Sequence, residues 1–196
     1  MPNYLGKFTN RDGTPGIEFP APAPGGLEVF QAFVNTSRPA KKNDELSTPR
    51  DLARWLSSRG LLPARTRLTE EDRRRAVGVR EALFTLLRAG QGSQKRQEAI
   101  RLLDHAMDRV RYQVYFDDVG PVGYEPASDA LDNALGTLVD RLVVARHNGD
   151  WPRIKACARA ECGRVYYDTS VNLVGKWCSR RCGTAVRSRT FRKKAK

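Results

Sequence analysis

Apolar residues recur at helical spacing along most of this chain and switch to strict alternation in one place. Val29, Phe30, Phe33 and Val34 predict a helix over Leu27 to Thr36 that buries one side. After a polar loop from Arg38 to Ser47, Thr48-Pro49-Arg50-Asp51 reads as a helix start: a capping hydroxyl, a proline at the first helical position and an acid in the first turn. Leu52, Trp55 and Leu56 form that helix's stripe, Gly60 ends it, and Leu61 and Leu62 pack back onto it. Thr69-Glu70-Glu71-Asp72 opens the next helix, with Ala76, Val79, Leu83 and Leu87 as its stripe. A third helix begins at Ser93 and buries Ile100, Leu103, Met107 and Val110. Then Tyr112, Val114 and Phe116 alternate with Arg111, Gln113 and Tyr115, which predicts a strand, and Asp117 to Gly123 predicts the turn of a small hairpin. A fourth helix runs from Ser128 through Leu131, Leu135, Leu138, Leu142 and Val143 to Asn148-Gly149.

Flanking this pattern are two stretches of different composition. Residues 1–26 are rich in proline and glycine and read as an extended arm, with a short strand or hairpin between Tyr4 and Phe19. Residues 151–196 follow the last long helix without a flexible linker and hold all four cysteines. The expected fold is α+β: a mainly helical domain over 27–150 with a small antiparallel sheet, then a small C-terminal four-cysteine zinc finger with strands followed by a basic helix.

Charge changes the picture only at the C-terminal end. The 196 residues carry a net charge of +13, and no acidic residue follows Asp168. Nine basic residues lie beyond it, which leaves +4 for the rest. A one-sided basic block of this kind points to a polyanion, most often nucleic acid. No apolar run approaches the length of a membrane span, and no secretory signal follows Met1, so the expected location is the cytoplasm.

The cysteines fall in two close pairs, Cys157 with Cys162 and Cys178 with Cys182, fifteen residues apart. Two such pairs bring four thiolates to one point at small loop-closure cost, and four sulfurs close the tetrahedral shell that Zn²⁺ favours in structural sites. One structural zinc per chain is the expected cofactor. Disulfides would need an oxidising compartment. An iron–sulfur cluster takes the same four thiolates, and the spacing alone leaves it open. Between the pairs, Val165-Tyr166-Tyr167 predicts a strand. Trp177 is placed to shield the metal, and Ser179 to cap a helix from Arg180 into the tail. On that helix Arg180, Arg181, Arg187, Arg189, Arg192, Lys193 and Lys194 are the candidate nucleic-acid contacts, to phosphates or, for an arginine, to a guanine edge.

From Cys157 to about Lys194 the chain resembles the CGNR zinc finger, a bacterial module. The matching residues are Cys157, Cys162, Asp168-Thr169-Ser170, Lys176-Trp177-Cys178-Ser179 and Cys182-Gly183. The front resembles the ABATE domain of the same family in Phe33-Val34-Asn35-Thr36, Asp44-Glu45-Leu46, the Leu52 to Leu62 segment and Arg80-Glu81-Ala82-Leu83. The resemblance implies a transcription regulator with a DNA-binding zinc finger and an N-terminal domain that senses stress or a ligand. The chain departs from the family after Cys182-Gly183: Thr184-Ala185 stands where the family has Asn-Arg, so Arg187 or Arg189 would have to supply that arginine's contact.

The resulting expectation is a zinc-dependent regulator that binds duplex DNA, with a small-molecule effector and a homo-oligomer both compatible with the sequence. The alternative is an RNA- or protein-binding adaptor that uses the finger as a platform. An enzyme is not expected. The only histidines, His105 and His147, have no metal-ligand spacing, and Asp117-Asp118 fits a solvated turn. Asn35 and Thr36 are the front residues singled out as ligand candidates, against the plainer reading that their side chains cap local backbone.

Overall fold

The computed structural model of the chain describes residues 7–9, 15–17, 22–38 and 43–194. Among the described residues six α-helices carry the fold: α1 (Leu27–Val34), α2 (Pro49–Ser57), α3 (Glu70–Arg88), α4 (Gln94–Met107), α5 (Ala130–His147) and α6 (Arg180–Lys194). The described residues also form four two-stranded antiparallel ladders, the first ahead of α1 and the others between helices: β1 (Lys7–Thr9) with β2 (Pro15–Ile17), β3 (Ser37–Arg38) with β4 (Asn43–Asp44), β5 (Tyr112–Asp117) with β6 (Gly120–Pro126), and β7 (Ile154–Ala156) with β8 (Val165–Tyr167). A mainly helical front with small antiparallel pieces, followed by a strand-and-helix finger, is the fold class that the hydrophobic pattern predicts.

Helix starts follow the local chemistry. Thr48 Oγ1 accepts the amide of Asp51, with Pro49 at the first position of α2. Thr69 and Asp72 form a reciprocal capping box at α3, and Ser93 Oγ accepts the amide of Arg96 at α4. The core gathers Phe30, Phe33 and Val34 of α1, Leu52, Trp55 and Leu56 of α2, Ala76, Val79 and Leu83 of α3, and Leu131, Leu135 and Leu138 of α5.

Three local features differ from the sequence pattern. The Arg38–Ser47 loop contains the β3–β4 ladder, because the Asp44 carboxylate is gripped by Arg80 of α3 and holds the segment down. On α4 the fully buried position is Ala99, while Ile100 is exposed. α4 packs on α3, and small residues let the two backbones approach, so Ala99 takes the inward position. The turn between β5 and β6 is two residues long, with β6 already begun at Gly120, and every residue of β5 is exposed.

The finger is joined to the helices by more than chain connectivity. A single 3₁₀ turn (Trp151–Arg153) leads from α5 into β7. Ile154 and Val165, one from each strand of the β7–β8 ladder, are buried in the same core cluster as the helices. β7 packs on α3 and β8 on α1. The other side of the ladder carries Tyr166, which packs with Cys157 and Cys182 in a separate small cluster.

Candidate metal centre and nucleic-acid interface

Cys157 leaves the end of β7, and Cys162 sits in the turn before β8. Cys178 precedes Ser179, whose hydroxyl accepts the amide of Cys182 in the first turn of α6. Cys178, just ahead of α6, and Cys182, in its first turn, thus come together at the start of the helix. The two halves are tied by Ala158 donating its amide to Lys176 O, and Cys157 N–H donates to Arg164 O.

The four sulfurs lie within 4.8 Å of one another. Cys162 to Cys178 is 3.5 Å, Cys162 to Cys182 3.7 Å and Cys178 to Cys182 3.8 Å. A tetrahedral zinc with Zn–S of about 2.3 Å needs sulfurs about 3.8 Å apart, so the cage fits the ion. The protonation chemistry points the same way. Hydrogen bonding from Cys178, aided by Arg164 and the other thiols, brings the Cys162 thiol down to about 5. The Cys178 thiol is pushed far up by its hydrogen bond to Cys162, by burial and by the neighbouring thiolates. Burial likewise raises Cys157. One thiolate is easy here and four are not, unless a divalent cation neutralises them. Cys157 and Cys182 are buried, and Trp177 packs on the cluster as its sequence position suggests.

A second cluster shapes the loop that leads to Cys178. Asp168 is buried, and its carboxylate accepts from Ser170 N, Ser170 Oγ, Gly175 N and Lys155 Nζ. Burial raises its pKa, but Lys155 and Ser170 outweigh burial and hold it below the usual carboxylate range. A Cβ at Gly175 would stand 2.6 Å from Asp168 Oδ1, so only glycine lets the loop close on the carboxylate. Asp168 and Ser170 belong to the finger motif read from the sequence. Lys155 does not, and nothing in its local sequence marks it.

The front motifs form a third cluster. Arg80 is buried and reaches Asp44 with both terminal nitrogens, at 2.7 and 2.8 Å; it also donates to Thr36 Oγ1 and to Glu81. Thr36 Oγ1 in turn donates to Phe33 O. The Asn35 amide reaches across to the finger, donating to Val165 O at 2.8 Å and accepting Val165 N–H at 2.9 Å. Both ligand candidates therefore spend their polar groups on protein: Thr36 on α1 and Arg80, Asn35 on β8.

The residues proposed for nucleic acid are distributed along α6. Arg180, Arg181, Arg187, Arg189 and Arg192 are exposed. Arg187 stacks over the Trp177 ring at 5.6 Å. Arg189 folds back onto Glu161, which also meets Arg159. The Arg189 hydrogen bond is the main cause that holds the Glu161 carboxyl down to about 2. Lys193 and Lys194 lie in the last turn, with side chains outside the described residues, as is Lys196. Thr184 is exposed and Ala185 half-buried. Phe191, not singled out from the sequence, is 76% exposed and falls on the same helical face as Arg180, Thr184 and Arg187. Spacings of four, three and four would have revealed it.

Residues 27–147 match the family model ABATE, described as "putative stress-induced transcription regulator". The chain belongs to this family. Residues 153–195 match the CGNR zinc finger, which covers the whole cysteine cage, the Asp168 loop and α6. The cage is thus a zinc finger whose four cysteines suit one zinc ion. Comparison with curated proteins gives no match. No helix among the described residues is long and apolar enough to cross a membrane.

Proposed function

We propose that this ABATE-family protein is a zinc-dependent regulator that binds duplex DNA through α6 and acts in the cytoplasm, where its thiols stay reduced. The observation that carries the reading is the seating of α6: a helix without a single acidic residue, whose first turn holds Cys182 and so is aimed by the metal cage. Arg180, Thr184, Arg187 and Phe191 make its outward stripe, and Arg181 and Arg192 flank it. Arginines there meet phosphates or guanine edges, and Thr184 and Phe191 suit thymine methyls. Arg187, positioned by Trp177, takes the place of the arginine that the family carries where this chain has Ala185. No catalytic step enters the reading: His105 and His147 stand outside the cysteine cage, His105 beside Asp108 and His147 on Val143 O. Asn35 and Thr36 serve in it as the coupling between the sensing domain and the finger, so that a stress signal or ligand felt among the helices reaches α6 through β8.

The test is filter binding of zinc-loaded protein to random duplex DNA and to RNA at two salt concentrations. If roughly four to six basic side chains meet phosphates, log K falls with log salt at a slope of about −4 to −5. Changing Arg192, Lys193 and Lys194 together to Ala makes the slope shallower by up to about three on every sequence. Arg187→Ala weakens preferred sites more than random ones. Zinc-loaded protein that ignores duplex DNA at low salt would overturn the reading in favour of the RNA or protein adaptor.

A further inference from the structure

The β5–β6 hairpin is thinly covered on its β5 side. Its strand β5 is exposed at all six positions, Val114 at 57% and Phe116 at 69%. β6 packs against α5, and Tyr112 rests on the same helix by donating its hydroxyl to Gly136 O. A two-stranded hairpin with one open apolar side is marginal in water unless something completes it.

The two outer edges of this hairpin differ. Arg111 turns its backbone inward: its carbonyl accepts Ala127 N and its amide donates to Ser128 Oγ, both on the β6 side. Alternation along the strand then aims the N–H and C=O groups of Tyr112 and Val114 outward. The ladder shifts register between Tyr115 and Phe116, but the extra residue, Val122, lies on β6, so β5 stays regular and Phe116 keeps the outward aim. On β6 the residues opposite Tyr112 and Phe116 are Pro126 and Pro121. They occupy two of the outward-facing positions of β6 and offer no N–H there, so that edge cannot accept a full strand. The edge of β5 holds neither proline nor lysine, the usual guards of an open edge.

We propose that the outer edge of β5 pairs with the same strand of a second copy of this chain, giving a four-stranded antiparallel sheet about a two-fold axis through Val114. A two-fold axis perpendicular to the sheet preserves faces, so only residues of equal parity can stand opposite each other. Centred on Val114, Tyr112 stands opposite Phe116 of the second copy, and each outward pair exchanges its backbone hydrogen bonds. On the same face the apolar side chains meet: Tyr112 with Phe116, Val114 with Val114. Phe116 of the second copy then arrives beside Tyr112, next to the cleft that Tyr112, Tyr124, Met107 and Val143 line. On the opposite face the same register sets Arg111 against Asp117, an opposite-charge cross-strand pair made twice. Charge favours this surface over others. In a chain of net charge +13, residues 111–126 contain one basic residue, Arg111, and three acidic ones, Asp117, Asp118 and Glu125, so two copies meet here without opposing cationic surfaces.

Sedimentation equilibrium of the full, zinc-loaded chain without nucleic acid tests this independently of any DNA binding. Wild type should have the mass of two chains, and Val114→Lys, which sets two ammonium groups together on the axis, the mass of one, with zinc content and helical signal unchanged. Arg111→Asp and Asp117→Arg should each weaken the dimer, and mixing the two variants should restore it, since only the mixed pair matches charges. A wild type that stays monomeric at every concentration overturns the proposal. So does a Val114→Lys protein that remains dimeric, and so does a mixture of the two charge variants that associates no better than either alone.

Discussion

Leu135 and Cys182 are both nearly sealed from water, yet the neighbours that seal them are of different kinds. Around Leu135 stand the apolar stripes of α1, α3 and α5; around Cys182 stand three sulfurs, Tyr166 and Trp177. The first core follows from burial at about 25 cal/mol per Å² of apolar surface. The second is too small for that, and α6 shows why. It has no apolar stripe and stands exposed beyond its first two turns, so its direction is fixed by its seat on the cage and by the contacts of Arg187 with Trp177 and Arg189 with Glu161. The β7–β8 ladder belongs to both, with Ile154 and Val165 in the apolar core and Tyr166 on the sulfur cluster. The helices therefore hold the ladder, and the ladder offers the metal two of its four ligands.

The comparison breaks most visibly at a cysteine. Structural zinc contributes apparent energies of about 10–16 kcal/mol in small fingers at neutral pH. Cys162→Ser should take zinc from about one per chain to essentially none, release α6 and abolish site preference on DNA, while the helical core still unfolds cooperatively. Elemental analysis beside thermal denaturation reads both. Full zinc retention in Cys162→Ser would sink the four-sulfur cage, and global collapse would show that the two cores are one.

On the apolar side the corresponding weak point is polar. Arg80→Met takes the buried cation away from Thr36 and from the half-exposed Asp44, and should cost about 1.5–3 kcal/mol in denaturant unfolding with zinc still bound. The pH dependence has a definite sign. The hydrogen bond from Arg80, against burial, lowers Asp44 below its ordinary 3.8. Its contribution is therefore present above about pH 4 and is lost as pH falls through the lowered value; Arg80→Met should lack that component.

A smaller change tests the seam itself. Asn35→Ala removes both hydrogen bonds to Val165 and should cost about 1–3 kcal/mol, with faster hydrogen exchange at the Val165 amide and unchanged zinc content. Equal exchange rates in both proteins would show that Ile154 and Val165 hold the ladder without the amide.

Much of this was legible in the chain because it depends on near neighbours. Cys178 and Cys182 lie close in sequence, Thr69 caps Asp72 three residues on, and Ser179 reaches Cys182. Each is a local spacing with a local reason. What could not be read depends on distance in sequence. Asn35 looked like a cap or a ligand residue, because its partner is 130 positions away. Ile154 stands between Arg153 and Lys155, and the Val165-Tyr166-Tyr167 strand is too short for its alternation to announce that Val165 joins the helical core. Ile100 lost the inward position to Ala99 because the distance between α3 and α4 decides it. Arg189 read as one more basic contact, since Glu161 lies before the second cysteine pair and meets it only once the cage has closed.

That last pairing gives the smallest and most pointed expectation. Both partners are exposed and screened by solvent, so breaking an Arg–Glu pair of this kind should leave the unfolding midpoint almost unchanged. Its effect on binding should be larger than its effect on folding. Glu161 is an acidic residue that meets α6, and it holds one guanidinium turned toward the cage. Glu161→Gln frees Arg189 and removes a negative charge beside the phosphate path. Affinity for random duplex should rise, and the salt slope should steepen by about 0.9 if Arg189 gains one phosphate. Lowering the pH cannot replace the substitution: Glu161 protonates only as pH falls toward 2, after acid has protonated the cage thiolates and released the metal. If Glu161→Gln binds with the wild-type slope at neutral pH, Arg189 points away from nucleic acid, and the interface narrows to the stripe of Arg180, Thr184, Arg187 and Phe191.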